Sequence, residues 1–177
     1  MELPVYGLTL KIYLCYNGLT RIRVVLWCGG SSSCQPVLFF GHHDCPNSIK
    51  PKLRESIVDL IKNHAVDHFY VGQQGNFDAI VRSVLRELVL IYPHITYAVV
   101  LERMPLKRSA VDNQDYSDTI LPQGIETVHP RFAISWRNRW MIERSDYVVA
   151  YVTHSWGGAT QFAELAKRQK KVVIQLT

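Results

Sequence analysis

Three glycine-bearing segments of the chain could hold a phosphate, and each follows a short apolar run. They are GHHDCP from Gly41, GQQGNFD from Gly72 and THSWGG from Thr153. Glycine lets backbone N–H groups approach a phosphate closely, and a helix start adds free donors and partial positive charge. Tight turns also need glycine, so one segment alone would be weak evidence, and none is a Walker loop or a full GxGxxG. Three together favour an anion-binding crevice.

Polar residues near these segments could complete such a site. Asp78 stands in the first turn of a predicted helix, where it either complements the helix dipole or accepts a ribose hydroxyl. Asn76 either caps that helix or contacts a ligand. Arg137 and Asn138 belong to RNRW. The Arg137 guanidinium could bind a phosphate bidentately, or it could belong to an exposed basic helix face.

Aromatic residues near these basic ones have two interpretations as well. The indoles of Trp136, Trp140 and Trp156 could stack on a base. At least two of the three are expected to belong to the core instead.

Glu164 and the HHDC segment each have a chemical and a structural interpretation. Glu164 could act as an acid, a base or a stabiliser of positive charge, or it could pair with Arg168 on the surface. His42 could contact a ligand or only form a turn. Adjacent residues of an extended segment point to opposite faces, so HHDC is not predicted to bind a metal. The sequence predicts neither a metal nor a cofactor.

The elements that must position these residues alternate from Gln35 onward. Predicted strands cover 37–40, 68–71, 96–101, 146–152 and 171–176. Predicted helices begin at a Ser48 cap with Pro51 in the first turn, and then cover 76–92, 134–145 and 159–169. The segment 103–130 is predicted mainly as loop. Because the strands are apolar on both faces, we predict an α/β, Rossmann-like doubly wound fold. Its mainly parallel sheet has about five strands, with helices on both faces.

Composition bounds the class of protein. The chain has 177 residues, enough for one domain with a real core, and a formal net charge of +5 that tolerates an anionic partner without requiring one. Its four cysteines have no zinc-type spacing, which favours a reduced, cytoplasmic protein. No apolar run approaches membrane-helix length and no basic export signal is present, so neither a membrane partner nor export is expected. Residues 1–34 are predicted as an extension, either a hairpin or poorly ordered, and 35–177 as the domain.

Four motifs occur in a fixed order: FFGHHDCP, VGQQGNFDAIV, RNRWMIERSDYVVAYV and GGATQFAELAK. Together they resemble the SLOG superfamily of Rossmann-like proteins, in particular its YpsA-like bacterial and phage branch, over about residues 37–176. The resemblance implies a nucleotide or nucleotide-derived ligand at the strand ends. It assigns ligand contacts, motif by motif, to Gly41 and His42, to Gly72, Gly75, Phe77 and Asp78 with the neighbouring Asn76, to Arg137 and Asn138, and to Gly157, Gly158 and Thr160.

The chain also departs from these patterns. His43 stands where the branch usually has arginine, Gln74 replaces a small residue, and Ala159 separates the glycine pair from Thr160. The enzymatic relatives, the LOG phosphoribohydrolases, cut the N-glycosidic bond of nucleoside monophosphates. Similarity to them implies catalytic roles for Arg137 and Glu164, although Trp156 replaces their proline and their third glycine is missing.

Three functions follow from these observations. The first is a module that binds or senses a nucleotide-type small molecule. The alternative is a nucleoside-monophosphate N-glycosidase that uses Arg137 and Glu164. A second alternative is single-stranded DNA binding, as in the related DNA-processing protein A. The basic segments RNRWMIER and KRQKK allow this function, but the sequence contains no recognisable readout motif for it. The resemblance also implies a homo-oligomer.

Overall fold

The structure, a computed structural model, describes residues 35–103 and 118–176; the predicted extension at 1–34 lies outside this part of the chain. None of the helices in the described part combines the length and apolar character needed to cross a membrane. The principal elements in chain order are β1 (Val37–Gly41), α1 (Lys50–Asn63), β2 (His68–Val71), α2 (Gly75–Ile91), β3 (Thr96–Val100), β4 (Thr119–Ile120), α3 (Ala133–Glu143), β5 (Tyr147–Tyr151), α4 (Gly158–Arg168) and β6 (Val172–Gln175).

The six strands form one sheet in which every neighbouring pair is parallel. Their order across the sheet is β4-β3-β2-β1-β5-β6. From β1 the chain adds strands outward on one side as far as β4, and then returns to place β5 and β6 on the other side. This reversal confirms the predicted α/β, Rossmann-like doubly wound class.

Helices cover both faces of the sheet, and alternate strand residues fill two separate cores. Val37 and Phe39 of β1 join the core that α1 and α2 cover. Leu38 and Phe40, which point the other way, join the core that α3 and α4 cover. Burial on both faces explains why the strands are continuous apolar runs and lack an alternating pattern.

Two details differ from the sequence-based prediction. The strand β4 was expected to be loop, because two residues are too short to produce a strand pattern; the sheet therefore has six strands instead of about five. Ser48 does not cap α1: it lies inside a short 3-10 helix, Asn47–Ile49, that leads directly into α1, and the cap position is Ile49. Pro51 does lie in the first turn of α1, as predicted.

Gly41 ends β1 directly beneath the ring of Phe77, a residue of α2 with no exposed surface. A Cβ atom on Gly41 would lie 2.2 Å from Phe77 Cγ. We expect Gly41→Ala to lower the free energy of unfolding by about 1–3 kcal/mol, because a packed core accommodates an added methyl only by shifting side chains or backbone. The matched control is Gly158→Ala, whose Cβ would have no atom within 4 Å. Equal urea-unfolding curves for the two variants would contradict this packing.

Candidate functional site

The sheet order reverses between β1 and β5, and open α/β sheets bind ligands at the carboxyl ends of strands on either side of such a reversal. Two segments meet there: the turn that begins at His42 and the loop from Val152 to Gly157. The His42 N–H donates to the Tyr151 carbonyl over 3.1 Å, which extends the pairing of the two strands by one bond. The predicted His42 and Gly157 therefore lie at the same edge of the sheet.

Three aromatic side chains from these two segments form what we call the ring stack: His42, His154 and Trp156. The imidazoles of His42 and His154 are nearly parallel, with centroids 3.5 Å apart and planes at 9°. The indole of Trp156 stacks on His154 at 4.0 Å and 19°. His42 is 5% exposed and Trp156 is 71% exposed, so the stack runs from a buried end to solvent.

The protonation of His42 follows from its hydrogen bonds. The backbone N–H of Thr153 donates to His42 Nδ1 over 3.2 Å, and the Thr153 hydroxyl lies 3.0 Å from the same atom. A backbone N–H can only donate, so Nδ1 must accept, and the proton of the neutral ring resides on Nε2. Burial, and then the neighbouring His154, lower the pKa of His42, which favours this neutral form, although Asp44 and the Trp156 backbone act in the opposite direction.

Among the described residues no acceptor meets hydrogen-bond geometry at His42 Nε2, a buried donor; the Trp156 backbone acts on the ring without closing such a bond. Leaving a buried polar group unpaired costs about 1–3 kcal/mol, and such groups are rare in native proteins. A ligand oxygen or a water molecule would satisfy it. The ligand contact at His42 stays a prediction, and Nε2 is the atom that would make it.

The first turn of α4, which follows the loop that carries His154 and Trp156, supplies further donors at this edge of the sheet. Gly157, the N-cap residue, has φ 98° and ψ 174°, a conformation that glycine adopts readily and other residues rarely. No side chain among the described residues caps the helix, so its first N–H groups lack side-chain acceptors. Gly158 begins the helix, and a Cβ there would have no neighbour within 4 Å. Open space and uncapped N–H groups together suit an anion.

Thr160 braces this loop. Its hydroxyl lies 2.8 Å from the His154 carbonyl and 3.1 Å from the Trp156 carbonyl, and donates to them. The Thr160 side chain, predicted to bind ligand, thus fixes the backbone between β5 and α4. A ligand could therefore use the backbone N–H of Thr160 but not its hydroxyl.

A second group of polar residues, the buried charge cluster, lies at the ends of β2 and β3 and consists of Asp78, Glu102, Arg137 and Asn138. Arg137 is 3% exposed, so the alternative of an exposed basic face is wrong for this residue. Its Nη1 lies 3.3 Å from Glu102 Oε2, while Nε and Nη2 donate to Asn138 Oδ1 over 3.1 and 2.9 Å. All three guanidinium nitrogens therefore have partners inside the protein.

Gly72 lies where the buried charge cluster meets the backbone. A Cβ atom there would lie 2.3 Å from Asp78 Oδ2 and 3.2 Å from Arg137 Nη2. The glycine thus lets β2 approach this carboxylate and guanidinium closely. Packing therefore requires a glycine at this position of the second motif, whether or not a ligand is bound.

Gly75 and Asn76 join the β2–α2 turn to the His42 turn. Gly75 has φ +84°, in the left-handed region that favours glycine. The Asn76 backbone N–H donates to the His43 carbonyl over 3.1 Å, and its side-chain amide donates to the Cys45 carbonyl. The interpretation of Asn76 as the helix cap is wrong, because the N-cap position of α2 is Gln74.

Asp78 is buried, and its Oδ2 accepts the Gln74 N–H over 2.9 Å. Burial raises its pKa to about 6, although that hydrogen bond and Arg137 act in the opposite direction. One arginine thus faces two carboxylates, Asp78 and Glu102, in a space from which water is largely excluded.

We expect this pKa shift to make stability depend on pH. As pH rises, Asp78 loses its proton near pH 3.8 in the unfolded state but only near pH 6 in the folded state. The contribution of Asp78 to the free energy of unfolding therefore falls as pH rises from about 3.8 to about 6 and reaches its lowest value above that range. Relative to Asp78→Asn, which keeps an acceptor oxygen, the wild type should lose about 2 kcal/mol between pH 4.5 and 7. Urea unfolding across this range measures the difference. Asp59→Asn, at a site 54% exposed, is the control, and a pH-independent difference for Asp78→Asn would contradict the shift.

Two predicted site residues differ from the rest: Phe77 has no exposed surface, and Glu164 has no described contact with another predicted site residue. Phe77 is fully buried under Gly41 and belongs to the α1–α2 core. Glu164 is exposed on α4, and its carboxylate lies 2.8 Å from Lys167 Nζ. The hydrogen bond from Lys167 lowers the pKa of Glu164. The ion-pair partner is thus Lys167, and the predicted Arg168 adds only a weaker attraction. No described contact joins Glu164 to Arg137.

Sequence reasoning missed Glu102 and His154. Glu102 follows β3 at the carboxyl edge, and besides Arg137 it accepts a hydrogen bond from Gln74 Nε2 over 2.9 Å. The signal available was a charged residue directly after an apolar run, at an edge where other strands already ended in polar residues. His154 was recognisable only as one of two aromatic residues in a glycine-rich loop.

Other candidate features have modest roles. Trp136 and Trp140 are half-buried; the Trp140 ring packs edge-on to Tyr70, with centroids 5.8 Å apart. Within residues 35–103 and 118–176, no group of three or more histidine, cysteine or acidic residues is arranged to hold a metal. A surface depression of about 400 Å³ lies between α1 and α2, lined by Asn47, Lys50, Asn76, Ala79, Ile80 and Ser83. It includes one predicted ligand residue, Asn76.

Comparisons with known proteins add no family assignment. Neither a scan of protein-family models nor a search of curated proteins gives a significant match to this chain. The resemblance to the SLOG superfamily therefore stays a prediction from the four motifs.

Proposed function

We propose that the domain binds a nucleotide or nucleotide-derived ligand at the carboxyl ends of β1 and β5. The observation that carries the proposal is the buried Nε2–H of His42, which completes no hydrogen bond within the described residues and lies against the loop that leads to the uncapped first turn of α4. A neutral N–H donor and a row of backbone N–H groups can together bind a phosphate without a nearby lysine or arginine. When a ligand oxygen pairs with this buried donor, the cost of leaving it unpaired is removed, and this adds to the affinity.

The buried charge cluster takes a supporting role in this proposal. Asn138 accepts hydrogen bonds from Arg137, Arg137 donates to Glu102, and Asp78 accepts from the Gln74 N–H at the start of α2. Asn76 then ties that turn to the His43 carbonyl. These residues therefore position the His42 turn and do not themselves grip the phosphate.

The alternative functions have weaker support. A glycosidase would need a carboxylate at the sugar, whereas Glu164 is exposed and bound to Lys167. Arg137, its expected catalytic partner, is buried and bound to Glu102. For single-stranded DNA, the basic segments RNRWMIER and KRQKK supply charge, but no readout motif accompanies them.

A thermal-shift screen of the full chain tests the proposal. The panel is adenosine, guanosine, cytidine and uridine mono- and triphosphates, NAD and cyclic AMP, with inorganic phosphate as reference and chromatography of each mixture for released base. We expect a ligand-dependent rise in melting temperature without turnover. Released base that disappears in Glu164→Gln would favour the glycosidase. Tight, strongly salt-dependent binding of an oligonucleotide, without nucleotide binding, would favour the DNA-binding alternative.

A further inference from the structure

Trp156 is a large aromatic side chain in an unusual position. Tryptophan is highly buried on average, yet Trp156 is 71% exposed at the carboxyl end of β5. One face of the indole is covered by His154, at a ring separation of 4.0 Å. The opposite face is open to solvent.

Hydrogen bonds hold the backbone of Trp156 in a fixed relation to α4, and the stacking on His154 holds its indole. The Trp156 carbonyl accepts from His154 Nδ1 over 2.9 Å and from the Thr160 hydroxyl over 3.1 Å. Thr160 belongs to the first turn of α4, so the backbone of Trp156 is tied to the helix start. A ring that is already held in place loses little conformational entropy when a second ring stacks on it.

The spacing between Trp156 and α4 suits a nucleotide. Gly158 follows two residues later, and two residues span at most about 7 Å. This distance is comparable with the reach of a ribose between a base and its phosphate. A base on the open face of the indole would therefore leave the phosphate near the first N–H groups of α4, which point away from the helix.

Resting on the nucleotide-binding function proposed above, we infer that the open face of Trp156 is the base-stacking surface of the site. The ligand class is then a nucleoside phosphate, with an aromatic base on Trp156 and an anionic group at Gly158. A sugar phosphate without a base occupies only the anion subsite. Because a purine covers more of an indole than a pyrimidine does, AMP should bind more tightly than UMP, and UMP more tightly than ribose 5-phosphate.

Titration calorimetry of the full chain with AMP, UMP and ribose 5-phosphate tests this inference. Trp156→Ala should weaken AMP binding by roughly 5- to 150-fold, which corresponds to about 1–3 kcal/mol of stacking per base. The same change should leave ribose 5-phosphate binding within about twofold, and Trp156→Phe should keep most of the AMP affinity. Phe132→Ala, which removes another exposed aromatic side chain at the start of α3, is the control and should leave the affinities for all three probes unchanged.

Indole fluorescence provides a readout that a purely structural role would not change. AMP should quench the emission of the wild type, and the quenching should be absent in Trp156→Phe although that variant binds AMP. Equal AMP affinity in the wild type and Trp156→Ala, or equal affinity for AMP and ribose 5-phosphate, would overturn the stacking surface while leaving the binding function intact. A wild type that binds none of the three probes would contradict the stacking surface, and the nucleotide-binding function itself would be contradicted if no member of the thermal-shift panel above bound either.

Discussion

Arg137→Met should lower the free energy of unfolding at pH 7 by about 3–5 kcal/mol, because it leaves buried carboxylates without their counter-charge. Arg137 is 3% exposed and bonded to Glu102, and its guanidinium also offsets the charge of Asp78. The loss should shrink below pH 6, where Asp78 takes up a proton. Urea unfolding at pH 5 and pH 7 measures both effects.

Two companion variants separate charge from geometry at this position. Arg137→Lys keeps the positive charge but cannot make the paired bonds to Asn138, so it should lose less stability than Arg137→Met. Adding Glu102→Gln to Arg137→Met should recover part of the loss, since one buried charge is removed. If Arg137→Met were as stable as the lysine variant, the buried charge cluster would not have the energetic role assigned to it.

Gly158→Asp should weaken nucleotide binding by roughly 5-fold to 1000-fold without lowering stability. A carboxylate in the first turn of α4 repels an anionic ligand a few ångströms away by about 1–4 kcal/mol, the range between a wet and a partly buried setting. The same carboxylate favours the helix through its dipole, by about 0.3–1 kcal/mol. The side chain has room, since nothing lies within 4 Å of a Cβ at this position. Calorimetric titration with AMP and a urea-unfolding curve give the two readouts.

The control for this experiment is Gly158→Asn, which has nearly the same shape and no charge. It should bind AMP close to the wild-type affinity. If asparagine and aspartate weaken binding equally, the effect is steric and the anion does not lie at α4. If neither weakens it, the ligand binds elsewhere.

The sequence predicted the layered architecture because fully buried parallel strands and amphipathic helices leave strong local patterns. Apolar runs such as VLFF and HFYV end at the glycines that the structure places at the carboxyl edge. A two-residue strand has no pattern of its own, so β4 was found only through its pairing with β3.

The site was predicted less completely, because its chemistry depends on contacts between distant segments. Arg137 looked like a surface phosphate ligand from its neighbours in RNRW, yet its partner Glu102 lies 35 positions earlier. His42 and His154 are 112 residues apart by number, and no local pattern predicts that their rings stack. The glycines were the reliable signal, since close approach at Gly41 and Gly72 and positive φ at Gly75 and Gly157 constrain the residue type directly.

The most direct test of nucleotide binding at this edge is an amide NMR titration of the full chain with AMP. Shift changes should concentrate at 41–44, 72–78 and 153–160, with the largest at the N–H groups of Gly158 and Ala159 and at the imidazole of His42. The absence of shift changes at saturating AMP, or changes confined to the depression around Lys50 and Ser83, would contradict the site described above.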